Sequence, residues 1–179
     1  MSGNLLARSV HDLTAAAWFG GSLMGAIGLN GAASQAQNPA ERTRLSSLGW
    51  KRWAPVQTVA FASHIMAGIP LMWENKGRMA SQEGVTRLSA IKTGVTLVGA
   101  LVTLYSGILG QKVDRLADQG AAGATEPDPA APEELKAAQK QLKVLQWTIP
   151  FFAGTVIVLG AKHGEMQRPK RVFEGLFKR

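Results

Sequence analysis

Long apolar runs alternate with short, strongly polar connectors along the chain. Crossing a hydrocarbon core of about 30 Å takes roughly 20 helical residues. Residues 13–33, 53–73, 88–110 and 144–161 meet that length with almost no charge inside them. A soluble amphipathic helix carries charge along one face throughout its length, which these runs do not. The pattern predicts an all-α chain, an integral membrane four-helix bundle forming a single domain over 1–179. A cleaved signal peptide over the first run fits less well, because only Arg8 precedes a run longer than an ordinary signal core.

The connectors place the ends. In "SVHD", Ser9 and Asp12 have capping-box spacing, which predicts a helix start there. Trp50 and Trp53 at one end of the second run and Trp73 at the other read as interfacial belts. Asn38 and Pro39 form a cap and first helical position. Beyond them Leu45, Leu48 and Trp50 among Arg42, Arg44, Lys51 and Arg52 predict an amphipathic helix lying at the interface. Gly77 is placed to end the second helix.

Past the third run, Leu109, Val113 and Leu116 keep helical spacing, as do Leu135, Ala138, Leu142 and Leu145 before the fourth. Pro132 followed by Glu133 and Glu134 marks a helix start. Helices 3 and 4 are therefore expected to extend beyond the bilayer as an antiparallel hairpin, joined by a flexible linker over 119–131. In the tail, 166–179, Val172, Phe173, Leu176 and Phe177 share a face flanked by Lys170, Arg171, Lys178 and Arg179. This is a basic amphipathic segment suited to anionic headgroups.

Charge and composition refine the picture. The net charge of +8 sits beside apolar runs, which points to lipid headgroups and away from nucleic acid. With no cysteine, disulfides, thiolate metal sites and thiol catalysis are excluded. Eleven Lys and Arg flank the two termini and the second connector, against nine on the first and third connectors. That bias, sharpened by the basic tail, places both termini in the cytoplasm, at the cell membrane.

Small residues recur at helical spacing, with Gly21 and Gly25 in the first run and Gly99 and Gly107 in the third. In lipid such residues let backbones approach closely. The first and third helices are expected to pack centrally on each other.

The candidate chemistry is sparse. Gln57, Ala60, His64 and Gly68 share one face of the second helix, which must turn inward to keep an ionisable group from lipid. Gln57, His64 and Lys92 form the predicted intramembrane polar cluster, although Lys92 has the reach to snorkel to the headgroups. His11, His64 and His163 are the candidate haem or copper ligands. His11 is placed at the cytoplasmic mouth of the first span, and His64 lies about 14 Å in from Trp73 on the same side. That difference in depth argues against one shared ion, while His163 is placed to approach His11 laterally. No Ser-His-Asp spacing, phosphate-binding glycine loop or HExxH is present. The chain reads as a non-enzyme, with no catalytic residue, no metal and no cofactor predicted.

The stretches "VHDLTAAAWFGGSLMGAIGLNGAA", "ENKGRMASQEGV" and "AAQKQLKVLQWTIPFFAGTVIVLGAKHGEMQRP" resemble an uncharacterised family of four-span membrane proteins from high-GC Gram-positive bacteria. The first of them is also similar to the opening helix of CopD-type copper-resistance membrane domains. The family resemblance implies location and span number, and no site residue. The expected role is an accessory or scaffold subunit of a larger envelope or respiratory assembly, partnered by other membrane subunits. The alternatives are a haem- or copper-handling protein and a small proton-coupled transporter, the latter drawing on Gln57, His64, Lys92, Pro70 and Pro150.

Overall fold

The computed structural model describes residues 4–119 and 122–177, the last three of these as backbone. It is all-helical, with no strand among the described residues. Helix α1 (Leu5–Met24) runs into a π-helical turn (Gly25–Leu29) and α2 (Asn30–Ser34), an uninterrupted helical rod. The other elements are α3 (Pro39–Glu74), α4 (Lys76–Ser81), α5 (Val85–Arg115), a single 3₁₀ turn (Ala117–Gln119), α6 (Glu133–Glu165) and α7 (Pro169–Phe177).

Three helices, α3, α5 and α6, are long and apolar enough to cross a membrane. Only 11% to 22% of the residues in their most apolar windows are buried. Large apolar side chains such as Ile65, Met66, Ile69, Leu101, Leu104, Phe151 and Val158 point outward, while His11, Ser22, Asn30, Gln57, His64 and Gln139 are buried. So many large apolar side chains facing outward is unlike the surface of a protein that folds in water.

The start of α3 follows its sequence signal. The Asn38 side chain accepts from the Ala40 amide at 3.0 Å, with Pro39 at the first helical position. The predicted interfacial helix is not separate, however. Residues 39–52 continue into the apolar run as one helix of 36 residues, about 54 Å at 1.5 Å per residue. Gly49 lies inside this helix, where a Cβ would meet the Leu29 side chain at 2.5 Å. Its second end also differs: α3 stops at Glu74 with Asn75 as cap, Gly77 lies inside α4, and the left-handed position is Gly84, φ +79°, just before α5.

Helix α1 begins at Leu5 and not after Ser9, because "LLARSV" contains only residues a helix accepts and no breaker. Successive rods run antiparallel. Asn4 reaches Glu74 at the near end of α1 and α3, and Asn30 reaches Ser46 at the far end. Helix α5 runs against α6, with Ser89 near His163 at one end and Lys112 paired to Glu134 at the other. Helix α1 packs along α3 and α6, and α5 packs along α6 and less extensively along α3. The expected central packing of α1 on α5 is replaced by a diagonal contact, where Trp18 covers Gly99 and donates to Thr103 at 3.3 Å.

Beyond Leu109 the third and fourth rods share a cluster of Leu109, Val113, Ala131, Leu135 and Ala138. The N-terminal half of α3 joins them through the Arg44–Asp118 pair and Lys51–Asp114 at 3.3 Å. The segment expected as a flexible linker has residues 120–121 outside the described ones. Its remainder folds back on α6, burying Ala124, Thr125 and Ala131. Gln139, fully buried, holds it by donating to the carbonyls of Gly123 and Ala124. A composition dominated by Ala, Gly and Pro hid this, because the anchor is a single glutamine a helix away.

Candidate functional site

The strongest concentration of ionisable side chains inside the bundle lies near the end where the chain begins. His11 of α1 and His64 of α3 stack face to face, ring centroids 3.9 Å apart and planes 29° from parallel. The expectation that depth separates them is thus overturned. Because α1 starts at Leu5 and Asn4 sits beside Glu74 at 3.3 Å, both histidines lie well inside the bundle. From that shared end His11 is seven residues along and His64 ten, an axial difference of about 5 Å, less than one turn.

The hydrogen bonds set the tautomers. His64 Nδ1 lies 3.0 Å from the His11 carbonyl, which can only accept, so Nδ1 carries a proton and Nε2 has the lone pair. Thr14 Oγ1, 3.4 Å from the same Nδ1, donates to the Val10 carbonyl at 2.7 Å. His11 Nδ1 faces Asp12 Oδ1 at 3.3 Å, which likewise leaves its Nε2 as the acceptor. That edge of His11 lies against Gly68, where a Cβ would still fit at 3.7 Å.

Lys92 of α5, expected to snorkel, is half-buried against α6, with Nζ beside Gly160. It is close enough to act electrostatically on His11, His64 and Asp12, yet forms no ion pair within 4.0 Å among the described residues. Gln57 is buried two turns further along α3, and no hydrogen bond joins it to His64. The predicted trio therefore divides: His64 and Lys92 share a neighbourhood with His11 and Asp12, and Gln57 does not. His163 meets Ser89 of α5 at 3.4 Å instead of approaching His11.

The predicted packing glycines also divide. A Cβ on Gly21 would land on the Trp53 ring, one on Gly25 on Trp50, and one on Gly99 on Trp18. Gly107 has nothing within 4 Å of where its Cβ would lie.

A second polar node went unread in the sequence. Asn30, immediately after the π-helical turn, donates to Gln146 at 2.8 Å and accepts from Ser46 at 2.8 Å and Trp50 Nε1 at 3.0 Å. One side chain thereby ties α1–α2, α3 and α6 together. Its signal was present as a lone asparagine in an apolar run, the same kind of signal that singled out His64.

At the outer edge of the histidine end, Arg78 of α4 donates to the Met166 carbonyl at 2.9 Å, joined by Gln82 at 3.0 Å. Burial, and secondarily the Arg8 charge, lower the pKa of Arg78 below the ordinary guanidinium value. These bonds fix where α7 starts. In the predicted tail, Phe173 is 68% exposed, whereas the side chains of Leu176 and Phe177, and Lys178 and Arg179 altogether, lie outside the described residues.

The two ring nitrogens do not converge. Lone pairs lie in the ring planes, so stacked imidazoles 3.9 Å apart cannot both reach one ion at a bond length of about 2 Å without turning. No group of three or more His, Asp or Glu suited to a metal occurs among the described residues. What the arrangement can do as it stands is take up protons. No family model, curated protein or solved structure matches this chain.

Proposed function

We propose that this chain is a non-enzymatic integral membrane protein that crosses the bilayer four times and serves as an accessory or scaffold subunit beside other membrane proteins. The observation that carries the reading is the outward-facing apolar surface of the long rods, with polar side chains of α1 and α3 turned inward. Three rods meet the requirement for crossing by length and composition. For the fourth span, support comes from the continuous helix Leu5–Ser34, which at 1.5 Å per residue is about 45 Å long. The rods exceed a hydrocarbon core of about 30 Å, and the surplus of α3, α5 and α6 gathers at one end as a headpiece outside the bilayer. That Asn4 lies near Glu74 and Arg8 near Gln167, at the opposite end of the bundle, supports a common side for the two termini, which we assign to the cytoplasm by its larger basic count. Partnering draws on Gly20, Gly94 and Gly107, whose Cβ positions are open on the outer surface of the bundle. The basic stretch around α7 adds an attraction to anionic headgroups.

Because the chain has no cysteine, single introduced cysteines report topology without background. Glu83→Cys is expected to react with an impermeant maleimide only from the cytoplasmic face of oriented vesicles, and Asp128→Cys only from the other. Reaction of both from one face overturns the four-span reading. Cross-linking with mass spectrometry in native membranes then tests the subunit role, and recovery of a solitary monomer throughout removes it.

The stacked pair is the observation that favours a second reading, a haem- or copper-handling protein, provided the rings turn from face-to-face so that two nitrogens converge. An absorption spectrum and metal analysis of the purified protein decide between the two.

A further inference from the structure

His11 and His64 form the only stacked histidine pair among the described residues, and they sit across the seam that joins α1 to α3. As neutral tautomers they hold that seam closed. One ring edge donates to the His11 carbonyl, and the two faces pack without a gap. Each has its remaining acceptor at Nε2, so a further proton on either ring breaks neither existing hydrogen bond. It converts the stack into two like charges 3.9 Å apart in a water-poor interior, where repulsion is several times stronger than in water.

The surrounding charges do little to cancel this. Lys92 of α5 adds positive charge to both rings, and it acts on His163 of α6 as well. Arg78 of α4 also acts on His163. The carboxylate that meets either ring at ion-pair distance is Asp12 of α1, whose side chain is 69% exposed and therefore screened. The contacts on either side of the pair are unequal. Toward the headpiece the seam is filled by Trp53 over Gly21 and Trp50 over Gly25. Toward the chain start, among the described residues, the first turns of α1 are held by exposed hydrogen bonds, Asn4 to Glu74 at 3.3 Å across the seam and Arg8 to Gln167 at 3.0 Å.

We propose that the His11–His64 stack is a proton-operated latch, closed when both rings are neutral and opened by their protonation, so that the first turns of α1 swing away from the end of α3 while the tryptophan-filled part stays shut. The direction follows from the charges: the closed form dominates on the alkaline side and the open form gains on the acid side. The latch stands on side-chain geometry within the bundle and is independent of the number of membrane crossings.

The test uses the full chain in nanodiscs, with spin labels on Leu6→Cys and Met72→Cys, both at exposed positions. A second label pair on Ser34→Cys and Leu45→Cys reports the headpiece end. Between about pH 8 and about pH 3.5, a window carried well below ordinary histidine titration because burial and the like charges of the pair and of Lys92 oppose protonation, the first pair is expected to shift from a single short distance to a majority longer population. The second pair is expected to stay unchanged. His64→Gln and, independently, His11→Gln are expected to abolish the shift, since glutamine retains polarity without the second proton. A first pair that does not respond to pH overturns the proposal. So does an equal response in both glutamine variants, or the same movement at both label pairs, which marks general loosening. If one variant does not fold, the other decides.

Discussion

The two ends of the rod that begins with α1 meet one difficulty, polar groups inside an apolar bundle, in opposite ways. At Asn30 every polar atom is answered: the amide donates to Gln146 and the carbonyl oxygen accepts from Ser46 and Trp50. All three partners are uncharged at any ordinary pH, so the node is indifferent to conditions. At His11 the groups are ionisable, and among the described residues Lys92 has no ion-pair partner within 4.0 Å and the two Nε2 nitrogens of the stack have no hydrogen-bond partner. A bundle held by the first kind of contact is fixed, and one held by the second responds. The difference assigns stability to the headpiece end and responsiveness to the end where the chain starts.

The most disruptive way to break this comparison is Asn30→Ala. It leaves Ser46, the Trp50 indole and Gln146 without their buried partner, and the lost contacts join three rods. Interhelical hydrogen bonds in membranes are worth about 0.6 to 1.7 kcal/mol each, so the expected cost is about 2–4 kcal/mol, read by thermal unfolding in mild detergent. A change below about 0.5 kcal/mol, the range of ordinary surface substitutions, shows that the node is not the lock described.

Next in size is Gly25→Ala. The added methyl meets the six-membered ring of Trp50, whose indole nitrogen is already committed to Asn30. Overpacking of this kind costs typically about 1–3 kcal/mol. Because the clash and the hydrogen bond share Trp50, the two substitutions are expected to be non-additive. A double variant whose loss equals the sum of the single losses separates the packing from the polar node.

These particulars also show what the pattern of residues carries and what it leaves out. The all-helical character and three apolar rods were legible, because a run of 20 apolar residues leaves few alternatives. The Asn38–Pro39 start was legible too, being a local event read from adjacent side chains. What failed were inferences about depth. Whether His11 meets His64 depends on how far α1 extends past it, and the helix begins about one and a half turns earlier than the Ser9 cap implies, which carries His11 into the bundle. Capping-box spacing at Ser9 gave the wrong start because a cap matters only where the helix otherwise has reason to stop. The anchoring of residues 122–125 by Gln139 was illegible for the opposite reason: nothing local in either segment announces the other. The choice among glycines was likewise closed to spacing arguments, since Gly99 and Gly107 repeat at the same interval and only the position of Trp18 distinguishes them.

That last contrast gives the smallest and sharpest test. Gly107→Ala adds a methyl where nothing lies within 4 Å, on an exposed part of α5. Within this chain alone the substitution has only a propensity effect, since alanine is favoured over glycine in a helix by up to about 1 kcal/mol. A small gain, within about 1 kcal/mol, is therefore expected from unfolding of the purified chain. In native membranes the same methyl reports something the isolated bundle cannot. If a neighbouring subunit packs on this face, close approach of its backbone needs the glycine, and Gly107→Ala weakens co-purification without loss of the chain's own stability. Unchanged co-purification beside a small gain in stability assigns the face to lipid and directs the search for partners to the headpiece.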